Sequence, residues 1–363
     1  MSKLGHFSDN GNRYIITNPQ TPRPWLNYLW NNRYLMAVDQ FGSGKNAYQN
    51  EASFYITESS GRGYMMRDGN RFIYIFDPET GKTWNPGWFP SRTPLNHYQC
   101  SHGQADTVIR GDKDEIEIEW TLFVGKTEPA ECWIVKVKNL DSRKRSVSLY
   151  PFVEFSLDGY VHNSGWESWT WASYSKKNNL VFVCNPAEER PHPYYHGFMA
   201  TDASISSYDT SRKAFLGTYG NIHQPDSLGR RLSNSNGACE PMICAYQIEL
   251  DLEAGESKTL HFTAGIANSY DYAEQLADKL LDTVDKSVVL WYNEEKRTGV
   301  FLHGEQLSTA RYVRCDVGNS QAVYNRKQGN VGRQRKGYPS ISEWRVLDFE
   351  NGSTMERPAA GIW

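Results

Sequence analysis

Short runs of β-branched and aromatic residues, either alternating with polar positions or continuous, recur along most of the chain. RYIITN, SFYIT, RFIYIFD, TVIRG, EIEIEWTLFVG and ECWIVKVKNL read as strands in the first part. SVSLYPFVEFSL, NLVFVCN, AFLGTYG, MICAYQIELDL and KTLHFTAGIA follow with the same signature. The breaks DPETGK, GDKDE, LDSRKR and EAGES carry the Asp, Gly, Pro and Ser chemistry of hairpin turns. Few helical patterns intervene, so the strands are expected to pair antiparallel. The chain is therefore read as mainly β, with a large antiparallel β-sandwich over residues 1–268.

The pattern changes after Ala267. Tyr272, Leu276, Leu280, Val284 and Val288 fall at helical spacing and predict a helical linker over 269–299, with one helix at about 270 to 297 and Thr283 as the candidate break. From 300 to 363 the chain is rich in Gln, Arg, Gly and Asn with little apolar periodicity, and an irregular, loosely packed tail is expected.

Charge removes whole classes of partner. Lys and Arg number 39 against 42 Asp and Glu, a net charge of −3, so no global field recruits nucleic acid or an anionic membrane. The first residues lack the apolar core of a secretion signal, and no apolar run reaches membrane-spanning length. Six cysteines without a CxxC pair argue against zinc-finger and redox motifs, and with them the expected compartment is the reducing cytoplasm.

Aromatic content is high, with 12 Trp and 22 Tyr. Such rings stack on sugar faces while their polar edges meet hydroxyls, but they also fill β-sheet cores. The loop SGWESWTW combines both abilities and nominates Trp166, Glu167, Trp169 and Trp171 as carbohydrate-binding residues. Arg190 and His192 in EERPHPYYHGF are added as a candidate rim. No catalytic residue and no metal ligand is nominated. Glu115, Glu117 and Glu119 share a strand face and read as solvated; His97, Cys100 and His102 lack a fourth ligand at a recognised spacing. Arg212 and Lys213 follow Ser211 without a glycine-rich loop, and GSGK at 42–45 is a turn. Trp84, Trp88 and Phe89 are expected to pack on the sheet, with adjacent prolines fixing the turn.

Several segments occur together in one order: GHFSDNGNRYIITNPQTPRPWLNYLWNNRYL, TWNPGWFPSRTPLNHYQCSHGQADTVI, YPFVEFSL, YDTSRKAFLGTYG and LEAGESKTLHFTAGIA. In this the chain resembles, over about residues 1–298, the N-terminal β-sandwich of glycoside hydrolase family 94, the inverting phosphorylases of cellobiose and related β-glucosides. The resemblance implies a galactose mutarotase-like supersandwich and a helical linker. It also implies phosphorolysis, in which inorganic phosphate as co-substrate attacks the anomeric carbon while one carboxylic acid protonates the glycosidic oxygen. Phosphate replaces the activated water of an inverting hydrolase, so no second carboxyl is needed.

In the family that acid lies in an (α/α)6 barrel after the linker, whose segments do not occur in residues 301–363. The resemblance thus implies a sandwich and linker without the catalytic barrel, as a truncated, split or frameshifted gene would give, inactive alone. A homodimer and a separate barrel chain are the implied partners, with a β-glucoside or oligosaccharide as ligand and no further cofactor. The family's Asn-aromatic-Gln-Arg-Asn acceptor segment is replaced here by SLDGYVHNSGWESWTWASY, which points away from cellobiose itself. Two other classes stay open: a stand-alone carbohydrate-binding sandwich, and a sugar epimerase using His196 or His261.

Overall fold

The computed structural model describes residues 4–48, 55–57, 71–158, 170–184, 196–294, 315–317 and 320–322. The chain begins with β1 (Gly5–Phe7) and β2 (Tyr14–Ile16), then a meander of β3 (Asn27–Trp30), β4 (Tyr34–Val38), β5 (Gly44–Tyr48) and β6 (Tyr55–Thr57). A hairpin of β7 (Arg71–Asp77) and β8 (Lys82–Trp84) leads to β9 (His97–His102), β10 (Thr107–Lys113), β11 (Ile116–Val124) and β12 (Ala130–Asn139). The long β13 (Arg145–Asp158) precedes β14 (Trp171–Ser175), β15 (Leu180–Cys184), β16 (His196–Thr201) and β17 (Ser207–Ser211). A short helix α1 (Arg212–Leu216), β18 (Met242–Leu252), β19 (Ser257–Ala267) and α2 (Tyr270–Glu294) follow, and β20 (Cys315–Val317) pairs with β21 (Ser320–Ala322).

Two antiparallel sheets carry the fold. One runs β1-β2-β9-β10-β11-β12-β19-β16-β15-β14; the other runs β17-β18-β13-β6-β5-β4-β3, with β7 on β13 and β8 on β7. This is the large antiparallel β-sandwich that the strand pattern implied. Alternation sets the inner faces. Ile118, Trp120 and Leu122 of β11 and Trp133, Val135 and Val137 of β12 meet Tyr34, Met36 and Val38 of β4 in the main core. Strand β13 is buried on both faces, with Val147, Leu149 and Val153 inward and Tyr150 and Phe152 against a second core, which explains its unbroken apolar run.

One expected strand is corrected: AFLGTYG does not extend. Ser211 caps α1 by accepting from the Ala214 N–H at 3.1 Å, and Gly217 leaves the helix at φ 89°. Phe215 and Leu216 then bury their side chains over Tyr74 and Phe152. The local capping pair outweighs the aromatic content that suggested a strand.

Helix α2 lies on the outer face of the ten-stranded sheet. Ala273, Leu276, Ala277, Leu280 and Val284 cover Phe123, Cys132, Phe182 and Phe198, following the 3.6-residue period of the sequence. The helix is continuous through the expected break, where the Thr283 hydroxyl donates to the Lys279 carbonyl within the helix at 2.8 Å.

An ion pair adds to the docking. Lys279 Nζ meets Glu128 Oε1 at 2.5 Å, and Glu128 also accepts from the Thr127 N–H and hydroxyl. Burial alone would raise the Glu128 carboxyl, but the Lys279 and Thr127 hydrogen bonds outweigh it and bring it down to about 2 from an ordinary 4.5. A depressed folded-state value means that the ionised carboxylate favours the folded chain. That contribution is complete above pH 4.5 and is lost as pH falls toward 2. The stability difference between the wild type and Lys279→Met should therefore close over that window in urea titrations; a gap independent of pH would refute the assignment.

Candidate carbohydrate-binding edge

Of the nominated residues, Trp171 lies at the β14 edge of the ten-stranded sheet. Trp166, Glu167, Trp169, Arg190 and His192 lie outside the described residues. Trp171, the first residue of β14, is described, and 45 % of its surface is exposed. It does not pack into the sandwich, whereas its neighbour Ala172 does. On one side Trp171 pairs with Cys184 of β15, and on the other it bridges Ala238. The Ala172 N–H donates to the Gly237 carbonyl at 3.0 Å and the Cys239 N–H to the Thr170 carbonyl at 2.9 Å. Segment 237–239 thus occupies the hydrogen-bonding edge of β14, which leaves the indole as the accessible feature.

Polar groups ring this edge. The Thr170 hydroxyl donates to the Glu240 carbonyl at 3.2 Å, and the Glu240 carboxylate accepts from the Lys213 N–H at 3.4 Å. One residue further, Arg212 Nε donates to Glu154 Oε1 at 2.7 Å. Tyr174, three residues along the strand from Trp171, points to the other face and stacks on Tyr208 at 4.0 Å with the rings 20° apart. It belongs to the packing between strands, so the two aromatic rings do not form one platform.

The segment 84–102 is chiefly scaffold. Trp84 and Phe89 are buried, and Trp88 lies 6.0 Å from Phe41. His102 is buried, with Nε2 donating to the Trp25 carbonyl at 3.1 Å and Nδ1 accepting from the Thr107 hydroxyl at 3.0 Å. Burial lowers its value to about 4, so the ring is neutral, and the carbonyl partner selects the tautomer. Among the described residues no three His, Cys, Asp or Glu side chains converge as a metal site. On the outer sheet face Glu119 pairs with Arg110, while Glu115 and Glu117 border an open depression beside it.

The two epimerase candidates separate. His261 Nδ1 lies 2.6 Å from Asp202 Oδ2, a carboxylate partner that the sequence spacing does not reveal. His196 instead packs on Phe182, with ring centroids 5.2 Å apart, and burial lowers it to about 4. Neither histidine lines the depression beside Glu115 and Glu117.

A further polar group lies between the sheets and was not nominated from sequence. Glu131 of β12 accepts from Arg71 Nη1 and Asn46 Nδ2, each at 2.6 Å, from the Tyr34 hydroxyl at 3.3 Å and from Trp133 Nε1 at 2.7 Å. Burial first, and then the charge of Glu131, pushes the Tyr34 hydroxyl well above its usual value, so it remains a donor. A signal existed: Glu131 shares strand parity with the inward Trp133, Val135 and Val137.

Residues 12–283, from before β2 into α2, match the glycosyl hydrolase 94 supersandwich domain. The chain belongs to that family. It is 40 % identical over 283 residues to the solabiose phosphorylase of Paenibacillus borealis, which covers 77 % of this chain and 37 % of the relative. It is 31 % identical over 274 residues to the 3-O-beta-D-glucopyranosyl-beta-D-glucuronide phosphorylase of the same organism, over 74 % of this chain and 34 % of the relative. Among solved structures, a galactose mutarotase-like protein from Lactobacillus casei aligns over 67 % of this chain and 100 % of its own, with TM-score 0.36 and 8 % identity. The chain thus spans roughly a third of the length of these curated phosphorylases, and it carries their supersandwich domain.

Proposed function

We propose that this family 94 supersandwich forms the acceptor side of an inverting disaccharide phosphorylase of the cytoplasm, with a β-glucoside as its donor substrate. The observation that carries the reading is the 40 % identity to solabiose phosphorylase over 283 residues, 77 % of this chain. In the reaction, phosphate attacks the anomeric carbon from the face opposite the leaving sugar, and one carboxylic acid protonates the glycosidic oxygen. The acid is assigned to an (α/α)6 barrel that acts with this domain in a homodimeric assembly. Within the described sandwich Glu131 is engaged by four donors and Glu154 by Arg212, so neither carboxylate is assigned the acid's role. This domain supplies orientation, with the exposed Trp171 facing the acceptor.

The test has two arms. With inorganic phosphate and cellobiose or solabiose, the chain alone is expected to release no sugar 1-phosphate, and release would overturn the assignment of the acid. Fused to the part of the P. borealis solabiose phosphorylase that lies outside the matched span, the chain is expected to support turnover. In that fusion, Trp171→Ala should raise the acceptor KM about tenfold with kcat little changed, the mark of lost ground-state stacking. An unchanged KM would remove Trp171 from the acceptor side.

The exposed indole of Trp171 also favours a second reading, a stand-alone carbohydrate-binding sandwich. It predicts that the unfused chain is retarded in a β-glucan affinity gel and that Trp171→Ala abolishes the retardation. Free migration of the wild type would eliminate this alternative.

A further inference from the structure

The outer face of the ten-stranded sheet divides into two halves of different chemistry. Helix α2 covers the apolar half over Phe123, Cys132, Phe182 and Phe198. The other half, on β9, β10 and β11, carries cross-strand rows of polar side chains: Gln99, Arg110 and Glu119 in one register, and His97, Asp112 and Glu117 in the next. A solvated sheet face explains such rows but does not require a concavity. Here the surface is concave. A depression of about 470 Å³ over these rows adjoins one of about 350 Å³ toward Trp88 and Arg92, and both are lined by Thr17, Asn96 and Tyr98. Both are shallow and half open, so a ligand would lie along the surface and not be enclosed.

The lining has a definite chemical character. Asn18, Gln20, Asn96 and Gln99 bring four primary amides to one groove, each able to donate and accept, as sugar hydroxyls do. Trp88 contributes a partly exposed indole at one end. Its backbone is left-handed, at φ 73°, and so is that of Arg92, at φ 57°. Bulky residues rarely adopt that region and are kept there only by their surroundings, here the Trp88 N–H to Asn85 carbonyl and Arg92 N–H to Trp88 carbonyl bonds of 2.9 and 2.7 Å. The same short loop thus places an aromatic face and a guanidinium on the groove. Against Arg92 and Arg110 stand Asp112, Glu115 and Glu117, a local excess of negative charge that disfavours acidic ligands.

We propose that this groove is a second saccharide-binding site, for a neutral gluco-oligosaccharide that stacks one ring on Trp88 and hydrogen-bonds along Asn96 and Gln99. It is independent of the acceptor-side reading. Strand β10 lies six strand positions from β14 in the sheet, roughly 30 Å at the usual spacing, so one short oligosaccharide does not reach both.

Calorimetric titration of the full chain with cellotetraose tests it. Binding is expected, and the double variant Asn96→Ala, Gln99→Ala should weaken it about tenfold or more, as loss of two amides' hydrogen bonds requires. A circular dichroism spectrum and melting curve matching the wild type would show that the variant is folded; if it is not, Gln99→Ala alone, which removes one amide from an outward strand position beside Arg110, serves in its place with an expected loss of about three- to tenfold. Tetragalacturonate, an anionic oligosaccharide of the same length, should bind more weakly than cellotetraose. No binding of cellotetraose, tighter binding of the anionic probe, or binding abolished by Trp171→Ala and untouched by the groove variants would each overturn the proposal. The last result would leave the β14 edge as the sugar site.

Discussion

Replacing Glu131 by alanine is expected to remove about 3–5 kcal/mol of folding stability, the usual cost of breaking a buried ion pair from one side. Arg71 is fully buried, and of its polar atoms Nε reaches the Gly42 carbonyl at 2.9 Å while Nη1 reaches Glu131 and Asn46. Its Nη2 already lacks a partner among the described residues, so no second acceptor stands ready to compensate. Asn46, Tyr34 and Trp133 would lose a partner at the same time. Urea unfolding followed by tryptophan fluorescence gives the value, and a loss below about 1 kcal/mol would show the network to be dispensable. The paired replacement Arg71→Met with Glu131→Leu should cost much less than Glu131→Ala, because it removes both charges together and leaves neither buried alone. A double variant as unstable as the single one would mean that the site is held by shape and not by charge.

Leu276→Ala should weaken the docking of α2 by about 2–5 kcal/mol, the range for a leucine truncated to alanine in a packed site. Leu276 is buried among Ala273, Ala277 and Leu280, and small alanines on either side leave little material to fill the vacancy. The loss is expected to be local. Amide exchange should accelerate along 270–284 while the strands of the main core keep their protection, since the helix packs on the outer face and not between the sheets. Uniform acceleration throughout the sandwich would show instead that helix and sandwich unfold as one unit. In the proposed assembly this helix connects the sandwich to the barrel, so a loosened α2 should also reduce turnover of the fusion protein without altering acceptor KM.

The strands legible from sequence are those in which apolar residues dominate the inward positions. β11 and β12 are read from period-two alternation alone, and β13 from an apolar run buried on both faces. Strands β3 to β5 of the early meander are not legible in the same way, because buried polar residues interrupt their pattern. Asn27 is buried and donates to the Gly103 and Asp106 carbonyls and the Thr107 hydroxyl, while Asn46 serves Tyr34 and Glu131. An asparagine in such a strand looks like a turn residue until its distant partners are known. β9 is similarly disguised, since HYQCSH spends His102 on a buried hydrogen-bonding role. In the opposite direction, AFLGTYG looks like a strand until Ser211 and Gly217 are seen to cap a helix.

The candidate edge was legible in part. Trp171 was named from the company of other tryptophans, and the fold leaves it exposed at the end of a sheet whose backbone edge is already occupied. The groove along Thr17, Asn96 and Gln99 was not legible, because its residues come from chain segments about 80 positions apart and share no local pattern.

By itself the sequence determined the β architecture, the amphipathic helix and the family relationship, because alternation, period and ordered motifs are local properties of the chain. Tertiary structure alone decided which polar residues are interior partners and which face solvent. That depends on strand order and register, which bring Glu131 to Arg71, His261 to Asp202 and Gln99 to Arg110 across gaps that no local pattern encodes.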